Sequence, residues 1–127
     1  MDLLDTRIYS LIGEEGFTRL VTGFYKQVPT DDILGPLYPP DLAGAETRLR
    51  EFLIQRFGGP DTYSQRRGHP RLRMRHARFH IDQKARDRWM QLMERSLAEA
   101  GFDEPVNQLL RSFFEDSATF MINQVDP

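Results

Sequence analysis

Three histidines, His69, His76 and His80, stand in one short stretch, and six arginines lie between Arg66 and Arg78. Imidazole is a metal ligand and a proton carrier near neutral pH. Guanidinium groups fork onto carboxylates or phosphates. His76 and His80 are four residues apart, so on a helix they share a face and could hold a metal together. No Glu follows His76, which removes the HExxH zinc motif, and no third ligand is evident. The plainer reading of each histidine is a solvated residue in an arginine-rich loop, and the plainer reading of the arginines is a solvated basic strip. Nucleic-acid binding would ask for the strip to continue along a helix with stacking aromatics. Here Tyr63 and Phe79 only flank it. A compact ligand with one or two carboxylates or phosphates suits the guanidinium forks better.

Tyr25, Tyr38 and Trp89 are the other candidates for chemistry. Each fits ordinary core packing, yet a buried phenol or indole must still satisfy its polar hydrogen. Three such donors aimed into one apolar cavity would stabilise a polar diatomic ligand. No nucleophile–base pair and no phosphate-binding loop is present. Gly13-Glu14-Glu15-Gly16 lacks the preceding strand that a dinucleotide fingerprint requires. The chain has no cysteine, so thiolate ligands, disulfides and cysteine nucleophiles are excluded.

The elements that must position these side chains are helices. Four stretches carry the helical period: Phe17, Leu20, Val21, Phe24 and Val28; Leu42, Ala45, Leu49, Phe52 and Leu53; Ala85, Trp89, Leu92, Met93, Leu97 and Ala100; and Val106, Leu109, Leu110, Phe113, Ser117, Phe120 and Met121. None alternates with period two. Gly58-Gly59-Pro60 ends the second helix, Asp82 is placed to cap the third, and Gly101 to close it. Asp103 and Glu104 before Pro105 open the fourth. Asp31 and Asp32 open a short turn that Pro36 or Pro39 closes. The stretch 58–81 reads as long and irregular, with a short helix only from Leu72 to Phe79, and a loop of that length is often functional. Two helix pairs thus bracket an irregular segment, with room for a ligand between them.

The 127 residues make one domain, 1–127, with 39% hydrophobic residues and a net charge of −2. That balance argues against nucleic acid or an anionic membrane as the main partner. No apolar run approaches the roughly 20 residues needed to cross a bilayer, and Asp2 and Asp5 break any apolar leader. The expectation is a cytoplasmic, soluble protein.

One ordered block carries more than composition: Gly58-Gly59-Pro60, Tyr63-Ser64, then Arg66-Arg67-Gly68-His69-Pro70-Arg71-Leu72-Arg73-Met74-Arg75-His76-Ala77. With Phe24-Tyr25, Leu37-Tyr38-Pro39, Asp41-Leu42-Ala43-Gly44-Ala45-Glu46 and Arg86-Asp87-Arg88-Trp89, it resembles the group II truncated haemoglobins from about Ile8 to Asn123. The resemblance implies an all-α fold, a two-over-two helical sandwich enclosing haem b. It implies His76 as the proximal iron ligand, because His76 matches the family's histidine in the Arg-His-Ala context and His69 and His80 do not. It places Tyr25, Tyr38 and Trp89 on the distal side, Leu49 over the iron and Phe57 along the pocket. Ala45 takes the position where animal globins place a distal histidine. Arg75, and more weakly Tyr63, are the implied propionate partners. The chain departs from the family pattern at Ile12 (a glycine in relatives), at Phe57 (often tryptophan), at Arg78 (a proline) and at His80, and its turn after Tyr38 is one residue shorter.

The function implied is reversible binding of dioxygen and other small diatomic ligands, O2, CO and NO, at a His-ligated iron. The alternative is a redox enzyme that uses the same haem for nitric oxide dioxygenation or peroxidase-like detoxification, with an external reductase. Monomer and homodimer are both compatible with the sequence.

Overall fold

A computed structural model describes residues 4–124; residues 1–3 and 125–127, the two ends of the expected 1–127 domain, lie outside the described residues. After a 3-10 turn at Asp5–Arg7 come six helices: α1 Ile8–Tyr25, α2 Ala43–Arg56, α3 Thr62–Arg67, α4 Leu72–Arg75, α5 Gln83–Ala100 and α6 Glu104–Phe120. A second 3-10 turn, Gly35–Leu37, bridges α1 to α2, and no strand occurs among the described residues.

The stripe Phe17, Leu20, Val21, Phe24 and Val28 is buried almost completely. Helix α1 bends at Gly13, whose φ of 68° and ψ of 180° interrupt the helical path; only glycine visits this region without steric cost. The short leading piece then turns Ile8 into the core. Helix α1 packs on both α2 and α5, and α5 packs on α6. These contacts form the two-over-two sandwich. Thr22 bonds Glu46 across α1 and α2 (2.8 Å), and Gln27 Nε2 donates to the Leu92 carbonyl (2.9 Å) and Ser96 Oγ (3.1 Å) across α1 and α5.

Helix ends follow the punctuation. Asp82 accepts from the Ala85 N–H at 2.9 Å, and Gly101 closes α5 with φ 68°. Asp31 Oδ2 accepts from the N–H groups of Ile33 (3.1 Å) and Leu34 (2.7 Å), which builds the turn expected there.

Three expectations change. The stretch 58–81 is less irregular than its composition suggests, because α3 forms inside it. Gln55 on α2 accepts from the Ser64 N–H (2.9 Å) and donates to Ser64 Oγ (2.7 Å), so a tertiary anchor sustains a helix too short to stand alone. The short helix expected to reach Phe79 ends at Arg75 instead. On α6, the buried face is Val106, Leu110 and Phe114, spaced by four, and Phe120 is 64% exposed. A face with a four-residue step drifts around the helix, so the last turn leaves the core and Phe120 meets the Arg73 guanidinium instead (5.9 Å).

Candidate functional site

His76 sits at the end of α4, half-buried. Its Nδ1 lies 2.7 Å from the Leu72 carbonyl oxygen. A carbonyl only accepts, so Nδ1 carries the proton and Nε2 keeps its lone pair. A hydrogen bond of this kind sets tautomer and ring orientation in metal-ligating histidines. His69 is exposed, and its Nδ1 accepts from the Arg71 N–H (3.2 Å). His80 is exposed and faces Asp82 at 3.5 Å. Neither has a lone pair presented from a partly buried position.

The segment after His76 is clamped by a residue that sequence reading passed over. Asn123 Nδ2 donates to the carbonyls of His76 (3.2 Å) and Phe79 (2.9 Å), and Asn123 Oδ1 accepts from the Ile81 N–H (3.0 Å). The Asn123 N–H returns a bond to the Ile81 carbonyl (2.9 Å). One asparagine beyond α6 thus holds residues 76–81 in place. Its only signal in the sequence is a polar residue following an apolar helix.

Tyr25, Tyr38 and Trp89 are far apart in sequence and meet in space. The rings of Tyr25 and Tyr38 are edge-to-face with centroids 5.8 Å apart. Trp89 packs on Phe24 (5.1 Å) and Phe114 (5.7 Å). Tyr25 and Trp89 both lie close enough to the Tyr38 phenol to bear on its ionisation. Burial pushes the Tyr38 phenol up to about 12, against the pull of those two side chains. Burial, with the neighbouring Tyr38, pushes the Tyr25 phenol higher still. Arg88, one residue before Trp89, is 2.6 Å from Asp31 and 3.1 Å from Asp32. This ties α5 to the chain that leads into Tyr38.

Arg75 donates to the carbonyls of Arg67 (2.6 Å) and His69 (3.2 Å) and lies 6.0 Å from the ring centre of buried Tyr63. Its Nε is buried without a hydrogen-bond partner. A cleft of about 410 Å³ opens between α2 and α3, lined by Thr47, Arg48, Glu51, Tyr63, Arg66 and Arg67. Leu49 and Phe52 on α2 are half-buried, and Ala45 is buried. Phe57, expected along the pocket, is wholly buried, between Phe17 (6.2 Å) and Phe113 (5.0 Å).

Residues 7–123 match the bacterial-like globin family. A group 2 truncated hemoglobin of Bacillus subtilis is 35% identical over 93% of this chain and 89% of its own length. The chain belongs to the group II truncated haemoglobins. Among solved structures, the hemoglobin of the thermophilic phototroph Chloroflexus aurantiacus is 47% identical, with a TM-score of 0.90, covering 92% of this chain and 98% of that one. A truncated haemoglobin of Bacillus subtilis described as oxygen-avid is 35% identical with a TM-score of 0.87, over 91% of this chain and 98% of its own.

Truncated haemoglobins bind haem and use its iron for ligands, and the side chains here fit that group. A half-buried imidazole with its Nε2 lone pair free suits iron. The unpartnered Nε of Arg75, one residue earlier, suits a propionate: a buried cationic donor without an acceptor is costly unless an anion completes it.

Proposed function

We propose that His76 is the proximal iron ligand through Nε2, and that Tyr25, Tyr38 and Trp89 form the distal hydrogen-bonding group for dioxygen, CO and NO. Haem supplies the redox-active iron at which such ligands bind. The Leu72 carbonyl holds the His76 ring, and Asn123 holds the backbone that follows it. Arg75, with Tyr63 beside it, provides the cationic contact for a propionate, and Leu49 offers an apolar surface on the distal helix. Phe57 contributes from behind, by fixing Phe113.

The observation that carries this reading is that Tyr25 of α1, Tyr38 of the α1–α2 turn and Trp89 of α5 come together in one place. A ligand that gains partial negative charge is stabilised by preorganised donors in a site of low polarity. At roughly 1 kcal/mol per net hydrogen bond, two donors slow dioxygen release about thirtyfold. Stopped-flow measurement of dioxygen dissociation tests this. Tyr38→Phe and Trp89→Phe each speed release by about five- to tenfold. An unchanged rate in both variants contradicts the distal assignment.

Turnover of nitric oxide or peroxide, and recovery of ferrous iron, needs electrons from outside. An external reductase is the source this reading calls for.

A further inference from the structure

Residues 62–81 contain six arginines and three histidines and not one Asp or Glu. The chain's net charge is −2 and this stretch contributes +6, so the rest of the molecule carries −8. Arg66 is paired with Glu51 at 3.0 Å. None of the other five has a carboxylate partner among the described residues. Arg73 gives its hydrogens to the Phe120 and Ile122 carbonyls and Arg75 to those of Arg67 and His69, which orients them without neutralising them. Arg78 lies over Phe79 at 5.0 Å. Arg67, Arg71, Arg73 and Arg78 are exposed. Arg71 is held in a left-handed conformation with φ 43°. The strip is therefore an ordered, unneutralised cationic surface, and it lies on the segment that carries His76.

We propose that this strip is the docking surface for an acidic one-electron carrier protein, whose redox centre is ringed by Asp and Glu. The proposal rests on the haem reading above. In the step it serves, the carrier's reduced centre loses one electron and ferric iron gains it. No bond is made and no proton moves. A compact acidic face meets only the strip, whereas a long polyanion would also run along a molecule that is elsewhere strongly negative. The asymmetric charge orients the encounter, and steering of this kind raises association rates by about 10- to 1,000-fold at low salt. Docking against this segment would bring the donor in beside His76.

The test uses ferric holoprotein under carbon monoxide, with photoreduced flavodoxin as the acidic probe. Stopped-flow absorbance follows the ferrous carbonyl as salt is raised from about 20 to about 200 mM. The second-order rate falls about tenfold over that range, as screening removes the steering. Calorimetric titration with oxidised flavodoxin shows salt-sensitive binding. The double variant Arg71→Gln with Arg78→Glu lowers rate and binding about tenfold at low salt. Its hemin affinity and its reduction by ascorbate stay unchanged. A salt-independent wild-type rate overturns the docking surface while leaving the haem reading intact. So does a double variant as fast as wild type. So does a short DNA duplex that binds more tightly than flavodoxin in the same buffer. A wild-type protein that fails to titrate with hemin at all overturns the haem reading itself.

Discussion

The ionisation of the Tyr38 phenol is set by what surrounds it. Burial pushes it up to about 12, against the pull of Trp89 and Tyr25 beside it. A donor that stays protonated across the neutral range gives a hydrogen bond that pH does not switch. The expected outcome is a dioxygen dissociation rate that is flat from about pH 6 to about pH 10 and rises only as the phenol begins to ionise. A stopped-flow pH series reads this. A midpoint near 7 in that series would assign the donor to some other group. The sequence marks Tyr25, Tyr38 and Trp89 as candidates because phenols and indoles carry polar hydrogens wherever they are buried. The packing of Phe57 between Phe17 and Phe113 carries no such mark, because an apolar ring looks alike in sequence wherever it is buried.

At the level of elements, the sequence shows the four long helices, because their apolar residues repeat with the helical period. It hides α3, whose existence depends on Gln55 reaching across from α2. It also hides the clamp on residues 76–81, because the bonds of Asn123 to His76, Phe79 and Ile81 span more than forty residues of chain. Asn123→Ala removes three hydrogen bonds and is expected to cost about 1–3 kcal/mol in urea unfolding. It also frees the backbone behind His76, the proposed iron ligand. The iron–histidine stretching band of the ferrous protein, seen by resonance Raman, shifts or broadens in the variant. A loss of stability with an unmoved band would make Asn123 structural only. Gly58 makes a sharper case. Its φ is +98°, and a methyl group there would fall 2.0 Å from the Thr6 carbonyl oxygen. Gly58→Ala is expected to cost at least about 2 kcal/mol, measured by thermal unfolding of the apoprotein.

The whole molecule carries the consequences of its buried phenols and paired carboxylates. Tyr25 and Tyr38 ionise in the unfolded chain near 10 but resist ionisation when folded. Their contribution is complete below pH 10 and is lost as pH rises through the folded values, so urea stability falls between about pH 10 and about pH 12. Asp31 has the opposite sign. Burial alone would raise its carboxyl, but the Leu34 N–H and Arg88 outweigh that and hold it below its usual 3.8. Its contribution is present above that value and is lost as pH falls below it. A Tyr25→Phe, Tyr38→Phe double variant abolishes the alkaline decline and leaves the acid one in place.

The arrangement of His76, Leu72 and Arg75 stands or falls on haem titration of the apoprotein, followed by reduction and carbon monoxide. Wild type is expected to saturate at one haem per chain and to give an intense Soret band of the histidine-ligated carbonyl type. His80→Ala is expected to reproduce it. His76→Ala is expected to lose that band, and added imidazole to restore it. A normal carbonyl spectrum in His76→Ala without imidazole, or its loss in His80→Ala, would contradict the assignment of His76 as the iron's ligand.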